Sequence, residues 1–241
     1  MSTLPLLLLP GLTCDERLWQ HQVAAFGADR PITSFALLPE DSMAALAQKA
    51  LARMPPGRFA LAGLSMGGYL AFEIMRQAPE RVAGLALLDT SARDDTEEAR
   101  ANRRSMMADA SAGESGYAAA VAQLLPKLLH PDHLDDAALV MLLADMAAGV
   151  GAEGFVRQQT AIMGRADSRP LLQHIACPTL VLCGRQDQLT PLALHEEMQS
   201  AIAGARLVVV DQCGHVSTLE QADQVNQALG EWLALADAAA Y

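Results

Sequence analysis

Apolar residues in this chain fall into two kinds of run. Short, nearly unbroken stretches recur at Leu6–Leu9, Ile32–Leu37, Phe59–Leu64, Val82–Leu88, Thr179–Cys183 and Leu207–Val210. Longer segments with apolar positions at helical spacing lie around Glu16–Phe26, Ser42–Arg53, Met66–Gln77, Leu192–Ile202 and Glu220–Ala236. A short continuous run bounded by turn residues reads as a strand, and hydrophobicity on both of its faces implies cover from both sides. Strand then helix, repeated, predicts an α/β chain with a mostly parallel central sheet and helices on both faces.

The alternation stops between Arg93 and Arg169. Ala-, Met- and charge-rich segments run there at helical spacing, broken by Gly113, Gly116, Pro131, Gly149, Gly151 and Gly154. The pattern predicts an insertion of about four helices between the strand ending at Leu88 and the one starting near Thr179. It holds Met106, Met107, Met141, Met146 and Met163, five of the eleven methionines. Methionine fills gaps between helices, and it also makes adaptable apolar linings.

Composition narrows the partners. With 51% apolar and 19% charged residues in 241, there is material for a large core and no signature of disorder. The net charge is −11, and of the 17 cationic side chains only Lys49 and Lys127 are lysines. Nucleic-acid affinity needs cations that displace phosphate counterions, so neither nucleic acid nor an anionic membrane is an expected partner. The apolar N-terminal run has no Lys or Arg before Arg17 and breaks at Pro10-Gly11, which argues against a secretory signal. No run reaches the ~20 apolar residues of a membrane span, and a cytoplasmic protein is expected. Cys14, Cys177, Cys183 and Cys213 form no CxxC, so neither a zinc site nor a disulfide framework is indicated. Cys177 and Cys183 are expected on one strand face as small hydrophobes. Arg100, Arg103 and Arg104 share a helical face that reads as solvated and paired with Glu97 and Glu98.

Chemistry enters at Gly63-Leu64-Ser65-Met66-Gly67-Gly68, between a predicted strand and a predicted helix. G-x-S-x-G in that setting is a nucleophile elbow: the turn is strained, and its glycines let neighbouring chain pass close by. It presents the Ser65 hydroxyl at the carboxyl edge of the sheet and at a helix N-terminus, where N–H groups stabilise negative charge. The base best placed for it is His215, on the loop after Leu207–Val210. His195 lies within a predicted helix, His130 and His133 flank Pro131, and His21 and His174 sit in helix-like surroundings. An orienting carboxylate is expected at Asp187, in the loop after Thr179–Cys183. Asp89, directly after Val82–Leu88, is its competitor, and Asp211 reads as capping its own loop. Donors for an oxyanion are expected from the backbone N–H groups of Met66 and of Leu12, after the turn at Gly11.

With those residues in place, the chain resembles the α/β-hydrolase-fold serine hydrolases, of the compact, carboxylesterase-like type with a helical lid. The likeness spans Leu6–Trp19, Gly63–Gly68, Gly184–Pro191, and Gly214-His215 with Glu220 beyond. Family members commonly carry His-Gly at the oxyanion loop and a tryptophan eight residues after the glycine; here the pair is Pro10-Gly11, and Trp19 keeps the spacing. Relatives also often place proline two residues after the last motif's glutamate, where this chain has Ala222. The resemblance implies an α/β-hydrolase core of residues 1–92 and 170–241. A helical cap of residues 93–169 would follow the strand in the family's sixth position and determine the substrate.

The function so implied is cleavage of small or medium carboxylic esters through an acyl-serine intermediate. Ser65 is the nucleophile, His215 the base and Asp187 the acid that orients it, with no metal and no cofactor. Trp19, Met141 and Met146 are expected to line the substrate pocket. A lactonase, thioesterase, C–C bond hydrolase or perhydrolase would use the same triad. A non-catalytic hydrolase-fold ligand-binding protein is the alternative outside enzymology, and the three filled triad positions count against it.

Overall fold

The computed structural model describes residues 3–37 and 39–239. Met1 and Ser2 of the apolar N-terminal run, and the last two residues of the Ala-rich terminus, lie outside the described residues. Six strands, β1 (Leu6–Leu9), β2 (Ile32–Ser34), β3 (Phe59–Leu64), β4 (Val82–Leu88), β5 (Thr179–Gly184) and β6 (Arg206–Val210), form one sheet. Their order is β2-β1-β3-β4-β5-β6, and every pairing is parallel. Parallel neighbours need long crossovers. A 3-10 turn (Glu16–Trp19) with α1 (Gln20–Phe26), then α2 (Met43–Arg53) and α3 (Met66–Gln77), supply the first ones.

Between β4 and β5 the described residues are helical or irregular: α4 (Glu97–Ser111), α5 (Glu114–Ala122), α6 (Leu125–Leu128), α7 (Ala137–Met163) and α8 (Arg169–Leu172). The strand before this segment is the fourth in the chain's own count. Helices α9 (Leu192–Ala201), α10 (Ser217–Glu220) and α11 (Ala222–Ala238) complete the chain. Helix α7 is, by length and composition, long and apolar enough to cross a membrane, which corrects the expectation that no stretch comes near one. Its backbone leaves the helical region at Gly151 (φ 68°, ψ 172°), so each of its two straight pieces is too short for a bilayer core.

Strand periodicity sorts the core into two layers. Leu7, Leu9, Phe59 and Leu61 face one side and pack with α2 and α3; Leu6, Leu8, Ala60 and Ala62 face the other, with α11 and Trp19. In β4 the phase slips at Gly84: Val82 and Leu85 share the first layer, and a register irregularity falls opposite, between Phe59 and Ala60. A side chain at Gly84 would meet the Ala236 methyl at 2.6 Å, so glycine there lets α11 lie close on the sheet.

Two local expectations need correction. The strand expected through Leu37 ends at Ser34, because β2 is an edge strand held by three residue pairs to β1, and beyond them Phe35 packs under the Arg53 guanidinium at 3.9 Å. Cys177 does not share a strand with Cys183: Pro178, which has no N–H to give a ladder, separates it from β5.

The elbow depends on close backbone packing between α3 and β1. A Cβ on Gly67 would lie 2.0 Å from the Leu9 carbonyl oxygen, and one on Gly63 would lie 2.2 Å from that of Gly67. Gly230, within α11, has ordinary space, with the Phe26 ring 3.7 Å from a built Cβ. Gly67→Ala is therefore expected to destabilise the fold by about 2 kcal/mol or more through overpacking. Gly230→Ala is expected to stabilise it by about 0.5–1 kcal/mol, the helix-propensity gain. Urea midpoints on opposite sides of the wild-type value check both; a neutral Gly67→Ala would contradict the packing argument.

Candidate active site

In a parallel sheet all strands end on one edge, and five of the loops there carry the residues singled out by sequence. Leu12 follows β1, Ser65 follows β3, Asp89 follows β4, Asp187 follows β5, and His215 follows β6.

Ser65 sits at φ 55°, ψ −115°, a region that a non-glycine residue enters only under constraint. The constraint is visible. Its N–H donates to Leu88 O at 3.0 Å, while its carbonyl accepts from Thr90 Oγ1 at 2.8 Å and from Gly68 N at 2.9 Å. Met66 begins α3, so its N–H is among those a helix's first turn leaves unpartnered. Thr13 also has positive φ, 61°, and its N–H donates to Gln158 Oε1 of α7 at 3.0 Å. That bond fixes the loop carrying Leu12.

His215 Nδ1 lies 2.8 Å from Asp187 Oδ2. Asp187 is buried, yet its carboxylate also accepts from Leu189 N, Thr190 N and Thr190 Oγ1, at 2.8, 2.9 and 2.6 Å. Burial alone would push its pKa up; the His215 charge and these donors outweigh it and hold the carboxyl below its ordinary value. For His215 the balance runs the other way. Burial would lower its pKa, but the Asp187 carboxylate raises it above the ordinary imidazole value. With Nδ1–H given to Asp187, Nε2 is left as the basic nitrogen.

Asp89, the competing acid, makes no bond to His215. Its Oδ1 accepts from Gly184 N at 2.9 Å and its Oδ2 from Ser217 Oγ, so it ties β4, β5 and α10 together from a fully buried position. Burial, and then the nearby Asp187 charge, push its pKa up to about 8. His195 is likewise structural: burial lowers its pKa to about 4, and Nε2 accepts from Thr90 N at 3.1 Å. Asp211 caps no loop. It pairs with Arg185 at the surface.

Glu220 is a residue whose role the sequence did not reveal. Its buried carboxylate accepts from Gly214 N at 2.8 Å and from His130 N at 2.6 Å, and His133 Nδ1 lies 2.8 Å away. His215 N in turn donates to Leu128 O at 2.7 Å. The loop bearing His215 is thereby fastened to the helical segment rather than to the sheet alone. His130 and His133, which the sequence reading set aside as bases, belong to this fastening.

Ser65, His215 and Leu12 line one cavity of about 130 Å³. Its wall also includes Tyr69, Arg103 and Gln159. An apolar cavity of about 320 Å³ adjoins it, between α5, α6 and α7, and shares Thr13, Leu124 and Leu128 with it. A larger concavity, about 780 Å³, touches none of Ser65, Asp187 and His215, so volume alone does not locate the site.

Three expected pocket residues are elsewhere. Trp19 and Met146 are fully buried in the core layer beneath the sheet's second face, and Met141 is 63% exposed on the outside of α7. The methionine that does line the cavity is Met106. Arg103 also departs from expectation: Arg104 pairs with Glu97 on the solvated face, but Arg103 turns inward to Asp95, at 2.7 Å. Helical spacing shows which residues share a face, not which face meets the site.

Comparison with known proteins agrees with this geometry. The sequence pattern of the alpha/beta hydrolase fold matches residues 9–222. Among curated relatives, a pimeloyl-[acyl-carrier protein] methyl ester esterase of Neisseria meningitidis is 32% identical over 168 residues, covering 67% of this chain and 64% of that one. A thermophilic esterase from Thermogutta terrifontis, solved with malate bound, superposes with a TM-score of 0.88 at 30% identity, over 98% of this chain and 91% of that one. The enol-lactonase from Burkholderia xenovorans LB400 superposes with a TM-score of 0.85 at 26% identity, over 97% and 92%. Taken with an all-parallel sheet that gathers a strained serine, a histidine and an aspartate at its carboxyl edge, these matches make the chain a member of the alpha/beta hydrolase fold family.

Proposed function

We propose that this hydrolase cleaves small or medium carboxylic esters through an acyl-serine intermediate, with Ser65, His215 and Asp187 as its triad. The observation that carries the reading is the 2.8 Å bond from His215 Nδ1 to Asp187, made behind a cavity that Ser65 also lines. Ser65 Oγ attacks the carbonyl while His215 Nε2 takes its proton. The imidazolium that forms is stabilised by the buried Asp187 carboxylate and returns the proton to the leaving alcohol. Water, activated by the same nitrogen, then releases the acid. The N–H groups of Leu12 and Met66 hold the oxyanion.

Residues 93–169 act in this reading as a lid over a core of residues 1–92 and 170–241. The four cysteines are free thiols, which supports a cytoplasmic location. A cavity of about 130 Å³ has room for a compact acyl group, since one water occupies about 30 Å³ of liquid. The adjoining apolar cavity extends it for longer chains, at about 0.8 kcal/mol for each methylene removed from water. Lactones meet the same machinery, and the enol-lactonase neighbour supports including them in any substrate panel.

Ser65→Ala should lose several orders of magnitude in ester turnover, and a fluorophosphonate probe should label wild type at Ser65 but not the variant; labelling at another serine would sink the assignment.

Asp187→Asn should lose turnover on the order of 10⁴-fold, as in other triads, and Asp89→Asn far less, because Asp89 bonds Gly184 and Ser217 and not His215. His215 works as a base only when neutral, so kcat/KM of wild type should rise with pH to half-maximum above 6.5, the ordinary imidazole value. In Asp187→Asn that limb should move to lower pH, since the charge that favours imidazolium is gone. A pH–rate profile unmoved by the substitution would contradict the pairing.

Val121→Trp, in the adjoining apolar cavity, should lower kcat/KM on p-nitrophenyl hexanoate relative to acetate. Equal effects on the two esters would show that this cavity does not receive the acyl chain.

A further inference from the structure

Arg103 and Gln159 stand on the wall of the cavity that holds Ser65, reaching it from α4 and α7. Asp95, just before α4, pairs with Arg103 at 2.7 Å and with Arg165 at 2.8 Å, and the side-chain exposures are 4% for Asp95, 21% for Arg103 and 8% for Arg165. Burial would raise the Asp95 pKa, but the two guanidiniums hold it below the ordinary carboxylate value, so it carries its full charge. Two cations against one anion leave one positive charge in excess. Neighbouring pairs do not absorb it, because Arg100 is matched by Asp94 and Arg104 by Glu97. The Tyr69 ring lies 4.2 Å from the Arg165 guanidinium and brings no charge.

The second observation is a donor without an acceptor. Gln159 is 1% exposed, and its Oε1 accepts from Arg103 Nη1 at 2.7 Å. A guanidinium can only donate, so the amide cannot be turned the other way, and Nε2 is necessarily the free end. That nitrogen is buried and has no hydrogen-bond partner among the described residues. Arg103 itself uses three donors, on Asp95 and Gln159, of the five that a guanidinium has. A structural tie between α4 and α7 needs neither a second arginine on Asp95 nor an unpaired amide.

We propose that Arg103 and Gln159 form a carboxylate-binding end of the substrate cavity, selecting half-esters of dicarboxylic acids over neutral esters. This rests on the ester-hydrolase reading above and gives its substrate class. A single excess charge matches a monoanionic carboxylate, and guanidinium and amide donors side by side match its two oxygens.

The test compares kcat/KM for monoethyl glutarate and neutral ethyl hexanoate, followed in a pH-stat, in wild type, Arg103→Gln and Gln159→Glu. Wild type should prefer the half-ester. Each substitution should lower the half-ester to neutral-ester ratio by about 10- to 100-fold, the range of a charge-assisted hydrogen bond. Gln159→Glu keeps an acceptor for Arg103, so it serves if Arg103→Gln does not fold. A ratio unchanged in both variants, whatever happens to the absolute rates, assigns the cluster a structural role and overturns the proposal.

Calorimetry on Ser65→Ala protein reads binding without turnover. Monoethyl glutarate should bind at least about tenfold more tightly than ethyl hexanoate, and adding Arg103→Gln should erase the difference. Equal binding overturns the carboxylate site even where esters are hydrolysed. Half-ester binding without hydrolysis by wild type would sustain the site and reject the esterase reading instead.

Discussion

A single buried negative charge sets much of this architecture. Asp187 is 5% exposed, and an unpaired carboxylate at that depth would take up a proton instead of staying ionised. Four donors prevent it: two backbone N–H groups and the Thr190 hydroxyl from its own loop, and the His215 ring from the next. The His215 donor is in reach only because β5 and β6 are neighbours and both loops leave the same edge of the sheet, which the parallel pairing ensures. The same charge helps to push the Asp89 pKa up while that of Asp187 is held down, so two aspartates close in space do different jobs. Asp89 braces the strands, and Asp187 faces the imidazole.

The second constraint is steric. The turn at Ser65 is tolerable because Gly63 and Gly67 remove every atom that would collide with the carbonyls of Gly67 and Leu9. Strain on the order of 1–3 kcal/mol is then held by a hydrogen bond to Leu88 O at the end of the adjacent strand and one from Thr90 Oγ1 just beyond it. The elbow is thus a property of three strands together: β1 offers the surface, β3 the turn, and β4 the clamp.

Helix α7 ties to a core loop through one glutamine and to α4 through the next. Gln158 accepts from Thr13 and so sets the loop of Leu12, whereas Gln159, about 100° further round the helix, accepts from Arg103. Glu220 makes the corresponding tie on the His215 side. Both loops flanking the serine therefore depend on contacts with residues 93–169, so that segment bears on positioning as well as on substrate choice.

The core elements were legible because their signals are local. An unbroken apolar run closed by a glycine-rich turn defined β3, the elbow and the start of α3 to the residue, and a histidine and an aspartate stood in the two loops that a parallel sheet must bring to one edge. What the sequence could not carry is direction around a helix. The apolar residues of α7 are spread too evenly to mark an inner face, so Met141 looked like a lining residue and is solvent-exposed, while Met146 is buried in the core cluster that holds Trp19. Arg103 shared a spacing with Arg100 and Arg104 and yet points inward, because Asp95 and Gln159, the latter 56 positions away, meet it there. Pairings over such separations leave no periodic trace. Periodicity along this chain settled which elements form and in what order; which charges meet, and which side chains look onto Ser65, was decided only when distant helices packed against one another.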